Sequence, residues 1–157
     1  MRRLLTLALL AVLAWPAAAA ARERGLNDGT LSVRDGRGVI IIQGRGGVIG
    51  SVAQGSVKFV DPIQEDGTGP IVSGADSHRA ISDTTDLYRG TSVRFRMIGG
   101  SFRVVIKGRG INLSFVGIGR VTLKGAGTED DGTFSVNGGD YGAVPDFLAF
   151  PVSATSP

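Results

Sequence analysis

The chain has 157 residues, with 17 Lys and Arg, 14 Asp and Glu, a single His and no Cys. A chain of this length folds as one domain, and without Cys it has neither a disulfide framework nor a thiolate zinc site. The formal charge of +3 falls to +1 when Arg2 and Arg3 are set aside with a leader, because all 14 acidic residues stay; so nearly neutral a chain offers no electrostatic footprint for nucleic acid.

Residues 1–21 read as a secretory signal peptide. Met1-Arg2-Arg3 supplies the positive start, Leu4 to Trp15 the apolar run, and Ala17 to Ala21 the small-residue cleavage sites. The run stops at Pro16, short of the roughly 20 apolar residues that span a bilayer. The expectation is a secreted, periplasmic or cell-envelope protein with no transmembrane anchor in its mature chain.

An all-β domain is expected over 22–142. Glycine contributes 25 residues, and these separate short apolar runs, as turns separate strands. Gly29 to Val33 alternates apolar Leu31 and Val33 with polar neighbours, and Asp35-Gly36 reads as a turn. Val39 to Ile42 is a β-branched run suited to a central strand. Gly44-Arg45-Gly46 breaks it, Val48 to Val52 and Ser56 to Val60 follow, and Asp61-Pro62 closes the set.

Residues 93–125 repeat the order of 29–61. Ile42 to Val57 and Ile106 to Val121 match without a gap at seven of sixteen positions: Ile42/Ile106, Gly44/Gly108, Arg45/Arg109, Gly46/Gly110, Val52/Val116, Gly55/Gly119 and Val57/Val121. The offset of 64 is even, so matched residues are expected on the same face of a sheet. Gly132 to Val136 echoes Gly29 to Val33 and adds a ninth strand. The expected architecture is a single-domain sandwich or closed barrel of about nine short strands, built from two duplicated four-stranded units. A short β-helix is the alternative.

Residues 61–90 read as an irregular inter-unit loop, longer than structureless connections usually run. Ile71-Val72 suits a short strand within it, and Ser82 to Leu87 one turn of helix. Residues 143–157 are expected to pack an aromatic side chain or two on the domain and then trail off.

No catalytic constellation emerges. Asp76, His78, Asp83, Asp86, Tyr88 and Arg89 make the 61–90 loop the candidate ligand-contact segment. Asp76-Ser77-His78 holds the residue types of a hydrolase triad, but sequence neighbours rarely converge as nucleophile and base, and the Gly-x-Ser-x-Gly elbow is missing. Arg45 and Arg109, each between glycines, are candidate anion contacts; no dinucleotide or Walker spacing surrounds them. Acidic groups at Asp61/Glu65/Asp66, Asp83/Asp86 and Glu129-Asp130-Asp131 could offer oxygen ligands to calcium, yet none follows an EF-hand pattern, and solvated turn acids are the plainer reading. No cofactor and no metal-binding residue is assigned, with calcium held as an alternative.

The function expected is therefore that of a non-catalytic binding or structural module, its partner an extracellular or cell-envelope protein or glycan. A secreted hydrolase using loop carboxylates and a calcium-stabilised surface domain are the alternatives. A glycan held by stacking is disfavoured, because the mature chain keeps only Tyr88 and Tyr141 as tyrosines and no Trp.

Overall fold

A computed structural model of the chain describes residues 27–63 and 69–156. The expected signal peptide, together with Glu65 and Asp66, lies outside the described residues. The rest forms one antiparallel sheet of seven strands: β1 (Gly29–Val60), β2 (Ile71–Ser73), β3 (Ser77–Ser82), β4 (Thr85–Lys124), β5 (Thr133–Val136), β6 (Gly142–Ala143) and β7 (Leu148–Val152). A single 3-10 turn, Glu129–Asp131, is the only helical element among the described residues.

Two strands are very long, 32 residues in β1 and 40 in β4. The short apolar runs anticipated from the sequence are segments of them, and the glycine steps expected to end strands bend them instead. Asp35-Gly36 is an example. Asp35 takes a positive φ of 49°, the register slips between Val33 and Gly38, and β1 continues as through a β-bulge.

β1 pairs with β4 twice. Ile40 lies opposite both Ile106 and Leu123, and Val57 opposite both Tyr88 and Ile106. Both hydrogen-bonding edges of β1 from Val39 onward are thus satisfied by the same partner strand. One row of neighbours across the sheet runs His78, Tyr88, Val57, Ile106, Ile40, Leu123, Leu148; another runs Val72, Phe95, Gly50, Leu113, Val33, Phe134, Gly142.

The apolar side chains of the two halves defined by these rows meet each other. Phe59 packs edge-on against Phe95 at 5.8 Å, Phe102 against Phe115 at 6.2 Å, and Phe134 lies 6.1 Å from Phe150. Around these rings Ile42, Val48, Val57, Val104, Ile106 and Val121 are fully buried. Each fully buried aliphatic side chain contributes about 1.5–3 kcal/mol through the hydrophobic effect, which matters in a chain without disulfides.

Three expectations are corrected. The sheet does not close into a barrel: β2 and β3 border one side and β6 and β7 the other, with no ladder joining them among the described residues. Every ladder is antiparallel, so the chain does not stack the parallel rungs of a β-helix. No duplication is evident either, since the matched segments are two halves of one ladder and not two four-stranded units.

The sequence recurrence has a local physical reason. Gly44 faces Gly119, and Gly55 faces Gly108, across the β1–β4 ladder. A Cβ on Gly44 would lie 2.7 Å from the Gly119 Cα, and one on Gly55 would lie 2.8 Å from the Gly108 Cα and closer still to the Lys107 carbonyl oxygen. The strands approach too closely at both crossings for either partner to carry a side chain.

The matched residues do not all share a face. Val57, Phe59, Val121 and Leu123 are buried as expected, but Val48 is buried where its match Asn112 is exposed. Inside–outside alternation reverses at Ala53–Gly55 on β1 and, directly opposite, at Gly108–Gly110 on β4. In the sequence match Gly108 corresponds to Gly44 and not to Gly55, so the reversal comes late in the first segment and early in the second.

Residues 61–90 are largely extended, because β3 and the start of β4 form a hairpin closed at Asp83-Thr84. The Asp61 N–H donates to the Thr84 carbonyl at 2.8 Å and docks the end of β1 on that turn. Ile71 and Val72 do form a strand, β2; Ser82 to Leu87 makes the hairpin turn and not a helical one. Beyond residue 143, β7 pairs with Gly119 to Leu123, and Val144 and Val152 enter the core.

Candidate functional site

The β3–β4 hairpin brings together three of the six loop residues singled out from the sequence. His78 sits opposite Tyr88 in the ladder, their rings stack at 4.5 Å and 9°, and the His78 Nε2 lies 2.6 Å from the Asp86 Oδ1. Tyr88 turns its other side to Phe59, edge-on at 6.3 Å. Burial pushes the Tyr88 phenol above its ordinary value of 10.0, and the neighbouring Asp86 carboxylate adds to the rise.

The other three serve elsewhere. Asp76 accepts the Thr91 N–H at 2.9 Å and the Thr91 hydroxyl at 3.4 Å, while its own N–H donates to the Arg89 carbonyl at 2.9 Å. It packs against β4 at Gly90, where an added Cβ would come within 2.6 Å of the Asp76 nitrogen. Asp83 is exposed at the hairpin turn, and Arg89 is exposed between Ser77 and Ser56. Among the described residues no hydroxyl side chain hydrogen-bonds to His78, so the His78–Asp86 pair stands at the sheet edge without an attached nucleophile.

The acidic groups considered for calcium are dispersed. Among the described residues no three His, Cys, Asp or Glu side chains gather in a way that could hold a metal ion. The buried Asp131 accepts from Arg37 at 3.4 Å and from the Thr128 hydroxyl at 3.0 Å, and the Asp61 carboxylate accepts the Ile63 N–H at 3.1 Å.

Arg45 and Arg109 are both exposed and lie on different strands, Arg45 on β1 opposite Ser101 and Ile118, Arg109 on β4 opposite Gln54. Arg45 borders a shallow depression of about 540 Å³ with Gln43, Ser101 and Arg103; Arg109 does not.

Sequence reasoning missed the sorting of charge by secondary structure. All thirteen described Lys and Arg residues lie in strands, four in β1, one in β3 and eight in β4, whereas nine of the eleven described Asp and Glu residues lie outside strands. The outer face of one half carries Arg34, Arg94 and Arg96 around a depression of about 750 Å³ that also includes Ser51, Asn112 and Ser114. The Arg34 guanidinium lies 4.0 Å over the Tyr141 ring, whose hydroxyl donates to Ser32 at 2.8 Å.

The outer face of the other half is richer in cations. One row reads Ser77, Arg89, Ser56, Lys107, Val39, Lys124, and a second reads Thr85, Val60, Arg103, Gln43, Arg120, Pro151. Neither row contains an acid. Among the described residues the only Lys or Arg in a salt bridge is Arg37, with Asp131. Strand alternation was the available signal: in Val93-Arg94-Phe95-Arg96-Met97 every second residue is buried and every Arg exposed.

No family model matches this chain, and neither does any curated protein or solved structure.

Proposed function

We propose that the protein is an exported, non-catalytic binding or structural module of the cell envelope or extracellular space, a sandwich-like sheet that meets its partner with its outer faces. The observation that carries this reading is the sorting of charge. Thirteen cations on strands, with acids held mainly in turns, leave broad outer surfaces of one sign on a chain whose net charge is close to zero. Export rests on the leader-like residues 1–21.

A hydrolase acting through His78 and Asp86 is the second reading, on the strength of their 2.6 Å contact. The pair is half exposed at the sheet edge, with side-chain accessibilities of 51% and 28%, and lacks the enclosed, water-poor setting that strengthens acid–base chemistry.

The test is export and retention. The full-length chain, expressed in a secreting bacterial host, is expected to lose its leader between Ala17 and Arg22, and the mature protein to co-sediment with washed cell envelopes and elute with salt. An uncleaved cytosolic chain would contradict the proposal, and cleaved protein that stays in the supernatant at low salt would rule out the cell envelope and leave the extracellular placement.

A further inference from the structure

The two cation rows on the outer face are regular in a way that a random basic surface is not. In the first, Arg89, Lys107 and Lys124 occupy alternate strands, with Ser56 and Val39 between them; in the second, Arg103 and Arg120 flank Gln43. Neighbouring strands are about 4.8 Å apart, so the charges in each row recur about every 10 Å. Arg103 precedes Lys107 by four residues, and Arg120 precedes Lys124 by four, which sets the rows about 13 Å apart along the strands. Between the rows run Thr122, Ile41, Val105 and Lys58. Ile41 and Val105 are half-buried beneath the level of the exposed charges.

We infer that this face binds a linear acidic polysaccharide, laid across the strands between the two rows. Its carboxylates meet Arg103 and Arg120 on one side and Lys107 and Lys124 on the other, while the flat faces of its sugars rest over Ile41 and Val105. The inference rests on the reading of the protein as a binding module and names that module's partner. Charge complementarity is the first argument: no acid stands in either row to compete for the cations. Periodicity is the second, since charges at a fixed interval along straight lines match a polymer with a repeating anion.

Other polyanions fit less well. A single-stranded nucleic acid needs a series of aromatic rings on which to stack its bases, and the strip between the rows holds none. An anionic bilayer is gripped by several apolar side chains that project beyond the charges; here Ile41 and Val105 are half-buried, and the exposed Phe147 ring beside the first row lies 5.4 Å from the Lys124 ammonium. The absence of a Trp from the mature chain, which disfavours neutral sugars held by stacking, does not weigh against a glycan held by guanidinium and ammonium groups.

The test uses the mature protein and hyaluronan, which has one carboxylate per disaccharide, with neutral dextran, a single-stranded oligonucleotide and phosphatidylglycerol vesicles as comparison ligands. Saturable, salt-sensitive binding to hyaluronan and none to dextran is expected. The Arg89→Gln/Lys107→Gln/Lys124→Gln protein, all three positions being exposed, should bind about tenfold more weakly. The Arg34→Gln/Arg94→Gln/Arg96→Gln protein loses the same charge from the other half and should stay within about twofold of the parent. Thermal unfolding of both variants checks that they remain folded. Equal losses in the two variants, tighter binding to the oligonucleotide or the vesicles, or no hyaluronan binding would each overturn the inference. Retention on washed envelopes, measured on the same preparations, separates the two levels: if it persists without hyaluronan binding, only the polysaccharide assignment fails, and if neither is seen, the binding-module reading fails as well.

Discussion

Replacing Gly55 by Ala adds one methyl group at the point where β1 and β4 come closest. That methyl would sit 2.8 Å from the Gly108 Cα and nearer still to the Lys107 carbonyl oxygen, both backbone atoms that cannot rotate away. Forcing apart packed groups costs about 1–3 kcal/mol. The φ of Gly55, 157°, lies where side chains rarely go, and holding Ala there adds about 1–3 kcal/mol. The sum, about 2–6 kcal/mol, is a large part of the roughly 5–15 kcal/mol that keeps a domain folded. At roughly 4 °C per kcal/mol for a domain of this size, Tm should fall by about 8–24 °C. Thermal and urea unfolding followed by circular dichroism would measure this, with Gly142→Ala as the comparison: a Cβ there meets nothing within 4 Å, so the change should be neutral or stabilise by up to about 1 kcal/mol. A Gly55→Ala protein within about 0.5 kcal/mol of the parent would refute the close-approach account.

Other substitutions probe different parts of the fold. Ile106 is fully buried and borders both Ile40 and Val57, so Ile106→Ala should cost about 2–5 kcal/mol in urea unfolding, whereas Ile49→Ala, at a residue 55% exposed, should change stability by no more than about 0.5 kcal/mol. Asp76→Ala removes the acceptor for Thr91 and should destabilise by about 1 kcal/mol, with faster hydrogen exchange at the Thr91 amide as the local sign. Tyr88 and Tyr141 are the only tyrosines of the chain, so ultraviolet titration of Tyr141→Phe reports Tyr88 alone. Its folded pKa is raised above 10.0, so its contribution to stability is complete below pH 10 and is lost as pH climbs through the folded value; a midpoint at or below 10 would contradict the burial of the phenol.

Much of the strand content was legible in the sequence, because Val39 to Ile42, Phe102 to Ile106 and Arg120 to Lys124 carry β-branched runs or strict alternation. Their continuity was not. A Gly-Arg-Gly step reads as a strand end when each strand is taken alone, and only the pairing of Gly44 with Gly119 and of Gly55 with Gly108 makes it a crossing point inside a continuous ladder. Register is a relation between distant segments, so local periodicity could not reveal that β1 from Val39 onward meets β4 on both edges. Segment 61–90 looked irregular because Asp83-Thr84 and the polar β3 sequence carry no apolar stripe; β3 is exposed along its whole length and is extended because it pairs with β4. Of the six candidate loop residues only His78, Asp86 and Tyr88 come together, because their alternate spacing in the hairpin puts them on one side. The basic faces were hidden by net charge, a sum that discards position, although the Arg residues alternating with Val93, Phe95 and Met97 already implied one charged face.

Every placement of a cation row depends on β1 being bordered on both edges by β4. Nuclear Overhauser contacts across the backbone of the labelled protein test that directly. The double register predicts that Val57 shows cross-strand contacts to both Tyr88 and Ile106, and Ile40 to both Ile106 and Leu123. Contacts from each residue to a single partner would contradict it, and would dismantle the rows built on it.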